Sequence, residues 1–288
     1  MSTPPFLDLP KGVRTERLAT ERGEFAALVA TSSDQPLATA VLIPGYCGSK
    51  EDFIAILEPL STGGVQVVAV DPRGQYETPG PDDLAAYDPV EQGADMVAML
   101  ETLSATPAHL LGHSFGGLVA REAVIARPDL VGSLILMCSG PAALSGPAAD
   151  RVKLQLAALE QHDLATVQSL RESFAAAQGE PLPPPEIQDF LRRRFTSNSH
   201  AGLIAVSRQL LSASDRVGAL AATAVPVLVA LGEGDDAWPR SEQREMAGRL
   251  RAEHAEIPGA GHSPAVDDPS MTARLLARFW FGHDSYRS

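Results

Sequence analysis

Gly112-His113-Ser114-Phe115-Gly116 sets a serine between two glycines in a context that could make it a nucleophile. A short apolar run at 108–111 precedes it, and a helix-like segment at 117–126 follows. A strand that turns sharply into a helix lifts one side chain off the sheet, and a Cβ at either flanking position would collide with such a turn. A serine hydroxyl is a poor nucleophile near neutral pH, so Ser114 needs a base beside it. His262, in Ile257-Pro-Gly-Ala-Gly-His-Ser-Pro264, is the candidate. An imidazole, with an ordinary pKa of about 6.5, takes a proton from the attacking hydroxyl and returns it to the leaving group. An acid that orients the imidazole would complete the set, and Glu233, Asp235 and Asp236 all follow the apolar run at 226–231. The chemistry these residue types offer is acyl transfer through a covalent serine intermediate.

Such groups meet only if a scaffold brings three distant segments together. The continuous apolar runs at 38–43, 65–70, 108–111, 133–138 and 226–231 have strand length and the character of strands buried on both faces. Segments of helical period at 51–60, 89–103 and 118–126 lie between them. This alternation, with right-handed crossovers, predicts an α/β fold built on a doubly wound, mostly parallel sheet. Residues 14–31, interrupted at Gly23, predict an antiparallel hairpin ahead of it. Ser114, Asp235 and His262 each fall just beyond a strand, at the carboxyl edge where open α/β sheets gather their sites.

The alternation breaks from 141 to 220. Helix-like stretches near 149–160, 164–178, 185–195 and 201–212 replace strands, and Pro181-Leu-Pro-Pro-Pro185 separates the second from the third. The expected organisation is a core in two parts, 1–140 and 221–288, with a helical cap inserted at 141–220. Its amphipathic helices predict an apolar roof, hence a small-molecule substrate with an apolar portion. Arg192-Arg193-Arg194 reads as the solvated face of a helix whose apolar stripe is Ile187, Phe190, Leu191 and Phe195.

At 288 residues, 44% hydrophobic and 20% charged, the chain suits one large α/β domain with an insertion. A net charge of −13 argues against nucleic acid, which demands cations for its phosphates. Seven carboxylates and no Lys or Arg between Gln75 and Glu101 read as a solvated acidic face. No apolar stretch approaches the roughly 20 residues of a membrane span. The first residues lack the charged and apolar regions of a secretory signal, so a cytoplasmic location is expected. Cys47 and Cys138 are too few and too far apart for a disulfide framework or a zinc site, and no metal is expected. Nothing in the sequence fixes the oligomeric state.

Nucleophile, acid and histidine occur here in that chain order, and the sequence resembles the α/β-hydrolase family over nearly its whole length outside 141–220. Asp71-Pro72-Arg73-Gly74 matches a further signature of that family, a turn packed behind the oxyanion loop. The resemblance implies Asp235 as the acid, because the family places it three residues after a strand-ending glycine and four before a proline, here Gly232 and Pro239. It also implies an oxyanion hole made by the backbone N–H groups of Phe115 and of Tyr46, in Pro44-Gly45-Tyr46-Cys47-Gly48-Ser49. Family members commonly carry His-Gly where this chain has Pro44-Gly45, so a side chain that usually braces the loop is missing. Tyr46, Phe115 and Trp238 are candidates for the pocket wall, and Cys47 reads as a small buried residue.

The implied function is a cofactor-independent serine hydrolase that cleaves a carboxylic ester, lactone or thioester through an acyl-enzyme. The same triad could serve carbon–carbon hydrolysis, perhydrolysis or a lyase or cyclisation step, and a non-catalytic ligand receptor is a third reading. A serine nucleophile, in place of an aspartate, separates the chain from haloalkane dehalogenases and epoxide hydrolases. His113 is expected to point away from Ser114 and pack. His109, His162, His200, His254 and His283 have no comparable context.

Overall fold

A computed structural model describes residues 2–103, 107–179 and 181–282. β1 (Val13–Thr20) and β2 (Gly23–Ala30) form the antiparallel hairpin around Gly23. β3 (Ala38–Ile43), β4 (Val65–Val70), β5 (Ala108–His113), β6 (Val131–Met137), β7 (Val227–Gly232) and β8 (Glu253–Ile257) complete an eight-stranded sheet in the order β1-β2-β4-β3-β5-β6-β7-β8. β2 joins β4 antiparallel, and every pairing from β4 to β8 is parallel. All of β7 and all but the first residue of β3 are buried, which is why they read as unbroken apolar runs. β8 carries no such signal. It is an edge strand whose Glu253 and His254 face solvent, so only one flank needs apolar residues.

Two rows of helices cover the sheet. α1 (Ile54–Thr62), α2 (Pro89–Leu103) and α3 (Phe115–Ala126) are the crossovers among the first strands. Between β6 and β7 run α4 (Gly146–Leu159), α5 (Leu164–Ala177), α6 (Pro185–Thr196), α7 (His200–Ser212) and the short α8 (Val217–Ala221). α9 (Arg240–Leu250), α10 (Pro264–Asp267) and α11 (Pro269–Phe281) follow. α1 packs on α11, while α2, α3, α8 and α9 form a contiguous second row. Asp268 caps α11, accepting from the Met271 amide at 2.8 Å. No helix among the described residues is long and apolar enough to cross a membrane.

Two stretches expected to face solvent each hold one buried exception. Asp95, in the acidic stretch, is wholly buried, with Arg22 Nε 2.6 Å and Arg73 Nε 2.8 Å from its two oxygens. Those guanidiniums come from the hairpin turn and from the Asp71-Pro-Arg-Gly turn, so the stretch holds the scaffold as well as facing water. Arg194 is not on a solvated face either. It is fully buried, its Nη1 2.6 Å from Asp52 Oδ1 and its Nη2 donating to the Ser2 carbonyl at 2.7 Å. Residues 187, 190, 191, 194 and 195 make one helical stripe, and Arg194 is the charged member of it.

Candidate active site

Ser114 sits at the junction of β5 and α3 with φ 54° and ψ −122°. A non-glycine residue held there stores roughly 1–3 kcal/mol of strain, and the surroundings must enforce it. They do: the Ser114 amide donates to the Met137 carbonyl of β6 at 2.9 Å, and the Gly117 amide donates to the Ser114 carbonyl at 2.9 Å. A Cβ on Gly112 would run into the Gly116 carbonyl, and one on Gly116 into the carbonyls of Ile43 and Pro44. The glycines therefore let the turn close and let β3's following loop approach it.

The acid and the histidine come from loops after adjacent strands. A Cβ on Gly232 would strike the carbonyl oxygens of Ala260 and Gly261, so the β7 and β8 loops touch backbone to backbone. Two amides fasten them, Glu233 N–H to Ile257 O at 3.1 Å and Gly234 N–H to Ala260 O at 2.8 Å. Of the three acids in this loop, Glu233 turns outward to the Gly259 amide and Asp236 to the exposed Arg151. Asp235 turns inward. Its Oδ1 lies 2.7 Å from His262 Nδ1, and His262 Nε2 lies 3.0 Å from Ser114 Oγ.

These distances assign the protons. Burial would raise the Asp235 pKa, but hydrogen bonds from His262, the Ala237 amide and Gln243 outweigh it and hold the carboxyl below its ordinary value. An ionised Asp235 only accepts, so Nδ1 carries the hydrogen and Nε2 is left to accept from the Ser114 hydroxyl. Gln243 Nε2 fixes the second carboxylate oxygen at 2.7 Å and also reaches the Trp238 carbonyl at 3.0 Å. His113 does not simply pack away from the site. Burial, then the neighbouring His262, lower its pKa to about 3, and its neutral ring donates from Nε2 to the His262 carbonyl at 2.6 Å.

The loop after β3 completes the arrangement. A Cβ on Gly45 would lie 2.8 Å from Ser114 Cβ and 3.3 Å from Ser114 Oγ, so this backbone touches the nucleophile. Among the described residues, neither the Tyr46 amide nor the Phe115 amide donates to a protein acceptor. Tyr46 sends its ring upward between the helices. Its hydroxyl lies 2.6 Å from Ser207 Oγ of α7 and accepts from Gln155 Nε2 of α4 at 2.6 Å. Ser207 gives its own proton to the Leu203 carbonyl, so Tyr46 is the donor between the two hydroxyls. Burial keeps the phenol neutral by raising its pKa well above the ordinary value. Below the loop, Gln75 Nε2 donates to the carbonyls of Gly45 at 2.9 Å and Gly48 at 3.0 Å.

A cavity of about 320 Å³ opens over Ser114. Leu144, Ala148, Val152, Leu210 and Trp238 give it an apolar side, and Arg151, Gln155 and Asp236 a polar one. Tyr46 and Trp238 are among its lining residues. Phe115 is not among them: its side chain is buried in the main core, because the first turn of α3 faces inward. Trp238 is held by a bond from Nε1 to the Ala142 carbonyl at 3.0 Å. Ser2 closes one end, its Oγ 2.8 Å from Ser263 Oγ.

Cys138, Asp235 and His262 are the group of metal-type donors among the described residues that lie within 4.8 Å of one another. Asp235 and His262 are already bonded to each other, and burial raises the Cys138 thiol well above its ordinary pKa. Cys47 is buried, and His283 lies outside the described residues. Sequence reasoning missed Gln75, Gln243 and the support from His113. Each acts through an amide or ring bonded to backbone or to another side chain, which leaves no spacing pattern; α9, which carries Gln243, is strongly polar overall.

Residues 40–275 match the model described as the alpha/beta hydrolase family. The chain is 26% identical over 245 residues to RutD of Variovorax paradoxus, provisionally a carbamate hydrolase, covering 83% of this chain and 90% of that protein. It is 32% identical over 109 residues to the mouse sn-1-specific diacylglycerol lipase ABHD11, a match spanning 38% of this chain and 34% of the lipase. A carboxylesterase crystal structure from Nitrososphaera gargenis superposes with a TM-score of 0.76 at 19% identity, over 92% of this chain and 97% of that one.

Proposed function

The chain belongs to the alpha/beta hydrolase family, and from that premise we propose that it hydrolyses a carboxylic ester or a related acyl bond, a lactone or thioester, through an acyl-enzyme on Ser114. The observation that carries this reading is the continuous relay Asp235–His262–Ser114, at 2.7 and 3.0 Å. As Ser114 Oγ bonds to the substrate carbonyl carbon, its proton passes to His262 Nε2 and the carbonyl electron pair moves onto oxygen. The amides of Tyr46 and Phe115 receive that oxyanion. The ester C–O bond then breaks, and His262 returns the proton to the departing alkoxide. Water repeats the sequence on the acyl-enzyme, giving its proton to His262 and releasing the acid as Ser114 recovers its hydrogen. No cofactor enters any step.

Substrate size follows from the cavity. About 320 Å³ is at the lower end of ligand sites, and it suits a compact acyl or alcohol group against Leu144, Val152, Leu210 and Trp238, not an extended fatty chain. The two carboxylates at its edge are each paired with a guanidinium, Asp236 with Arg151 and Asp52 with the buried Arg194 behind it, which favours a neutral substrate. Residues 141–220, as a cap, supply Leu144, Val152 and Leu210 of the apolar side.

The test is labelling by a fluorophosphonate and turnover of p-nitrophenyl esters of rising acyl length. Wild type is expected to be labelled and to prefer short chains, while Ser114→Ala shows neither labelling nor turnover. An unlabelled wild type, or an active and labelled Ser114→Ala, overturns the proposal.

A further inference from the structure

We propose that Gln75 is a positioning residue for the oxyanion hole: its carboxamide sets the direction of the peptide group that carries the Tyr46 N–H. The inference rests on the acyl-transfer reading above. The Gly45 carbonyl and the Tyr46 amide belong to one planar, trans peptide unit, so the two point in opposite directions and neither turns without the other. Gln75 Nε2 lies 2.9 Å from that carbonyl oxygen and 3.0 Å from the Gly48 carbonyl oxygen, with the side chain buried. Both partners only accept, so the NH2 end of the amide must face them, and each of its hydrogens is used once.

The remaining support for this peptide is thin. Within the loop, the Gly48 amide donates to the same Gly45 oxygen at 2.9 Å, closing a tight turn. Pro44 ahead of it has no side-chain donor. Gln75 ties that turn to the segment following β4, where the Gln75 amide donates to Pro72 O and its carbonyl accepts from Thr78 N, both at 2.9 Å. On the far side, the Tyr46 hydroxyl is held by Ser207 and Gln155. Gln75 thus fixes the plane of the peptide and the phenol fixes the end of the side chain. Removing the carboxamide takes the side-chain donor from the Gly48 carbonyl and leaves the Gly45 carbonyl with the Gly48 N–H alone, a loss the loop relieves by turning the Tyr46 N–H away from the developing oxyanion.

Gln75→Met, nearly isosteric but without a donor, tests this with p-nitrophenyl butyrate as substrate. Two inhibitors are compared: phenyl trifluoromethyl ketone, which forms an oxyanion on Ser114, and a butyl aryl ether, which only fills the cavity. The expected result is a fall in kcat of about 10–100-fold with KM and ether affinity changed by less than about two-fold. Ketone affinity falls in parallel with kcat/KM. Gln75→His, which retains one ring donor, restores part of both. A kcat within about two-fold of wild type, or equal losses of ketone and ether affinity, overturns the inference. Should Gln75→Met fail to fold, Gln75→Asn, which withdraws the amide by one carbon, is read in the same way. A wild type that is neither labelled by fluorophosphonate nor active removes the acyl-transfer reading itself; an active wild type with an indifferent Gln75→Met removes only this inference.

Discussion

Asp71 and Asp235 both follow a strand and are both fully buried in their side chains, yet their surroundings drive them in opposite directions. Asp235 has His262, the Ala237 amide and Gln243 around its carboxylate and no competing acid among its bonding partners, so its pKa falls despite burial. Asp71 shares one cation. Lys50 Nζ lies 2.9 Å from Asp71, from Glu51 and from Glu77, and burial together with the Glu51 charge raises the Asp71 pKa to about 7 against the pull of Lys50. One carboxylate is kept ready to orient an imidazole. The other ties the backbone at Lys50 to the segment after β4, accepting from the amides of Lys50 and Glu77.

The largest expected break in this comparison is Asp235→Asn. With no ionised acceptor the His262 tautomer is wrong, and kcat on p-nitrophenyl butyrate should fall by about 10⁴ with a far smaller change in melting temperature. Lys50→Met should do the reverse. It strands buried Asp71 without its cation, so chemical denaturation should show a loss of about 3–5 kcal/mol while kcat per folded molecule changes comparatively little.

The finest distinction is in pH dependence, where the signs are opposed. A lowered folded pKa makes Asp235 contribute stability above its unfolded value that is lost as pH falls through the folded one. A raised folded pKa makes Asp71 contribute stability below its unfolded value, about 4, that is lost as pH rises through about 7. Melting temperatures across pH should therefore show Asp71→Asn gaining on wild type from pH ~5 to ~8, and Asp235→Asn converging with wild type only at the acid end. Parallel curves for the two variants would dissolve the contrast.

The two carboxylates were not equally visible in the sequence. Asp235 stands among three acids in one short loop; spacing from Gly232 and Pro239 favours it by resemblance alone, and its contact with His262 comes from the closing of the β7 and β8 loops on each other. The sharp strand-to-helix turn at Ser114 was legible because such a turn needs glycines at both flanks and a strand before it. The central strands were legible because burial on both faces admits only apolar residues; β8 was not, since an edge strand can spend its outer positions on Glu253 and His254. Arg194 shares the helical period of the apolar stripe, but its charge points to solvent, and the partner that buries it, Asp52, is 142 residues away in the chain. Gln75 left no trace, for a side chain bonded to carbonyl oxygens matches no pattern of residue types.

The relay hangs on strand ends. Ser114 leaves β5, and Asp235 and His262 leave β7 and β8, so their spacing is fixed by the main-chain ladders running from β5 through β6 to β8. None of those ladder bonds passes through the helices between β6 and β7. Those helices could therefore be replaced without disturbing the ladders that space the three side chains, provided their grips on the core are kept, Gln155 and Ser207 on the phenol of Tyr46 and Arg194 on Asp52.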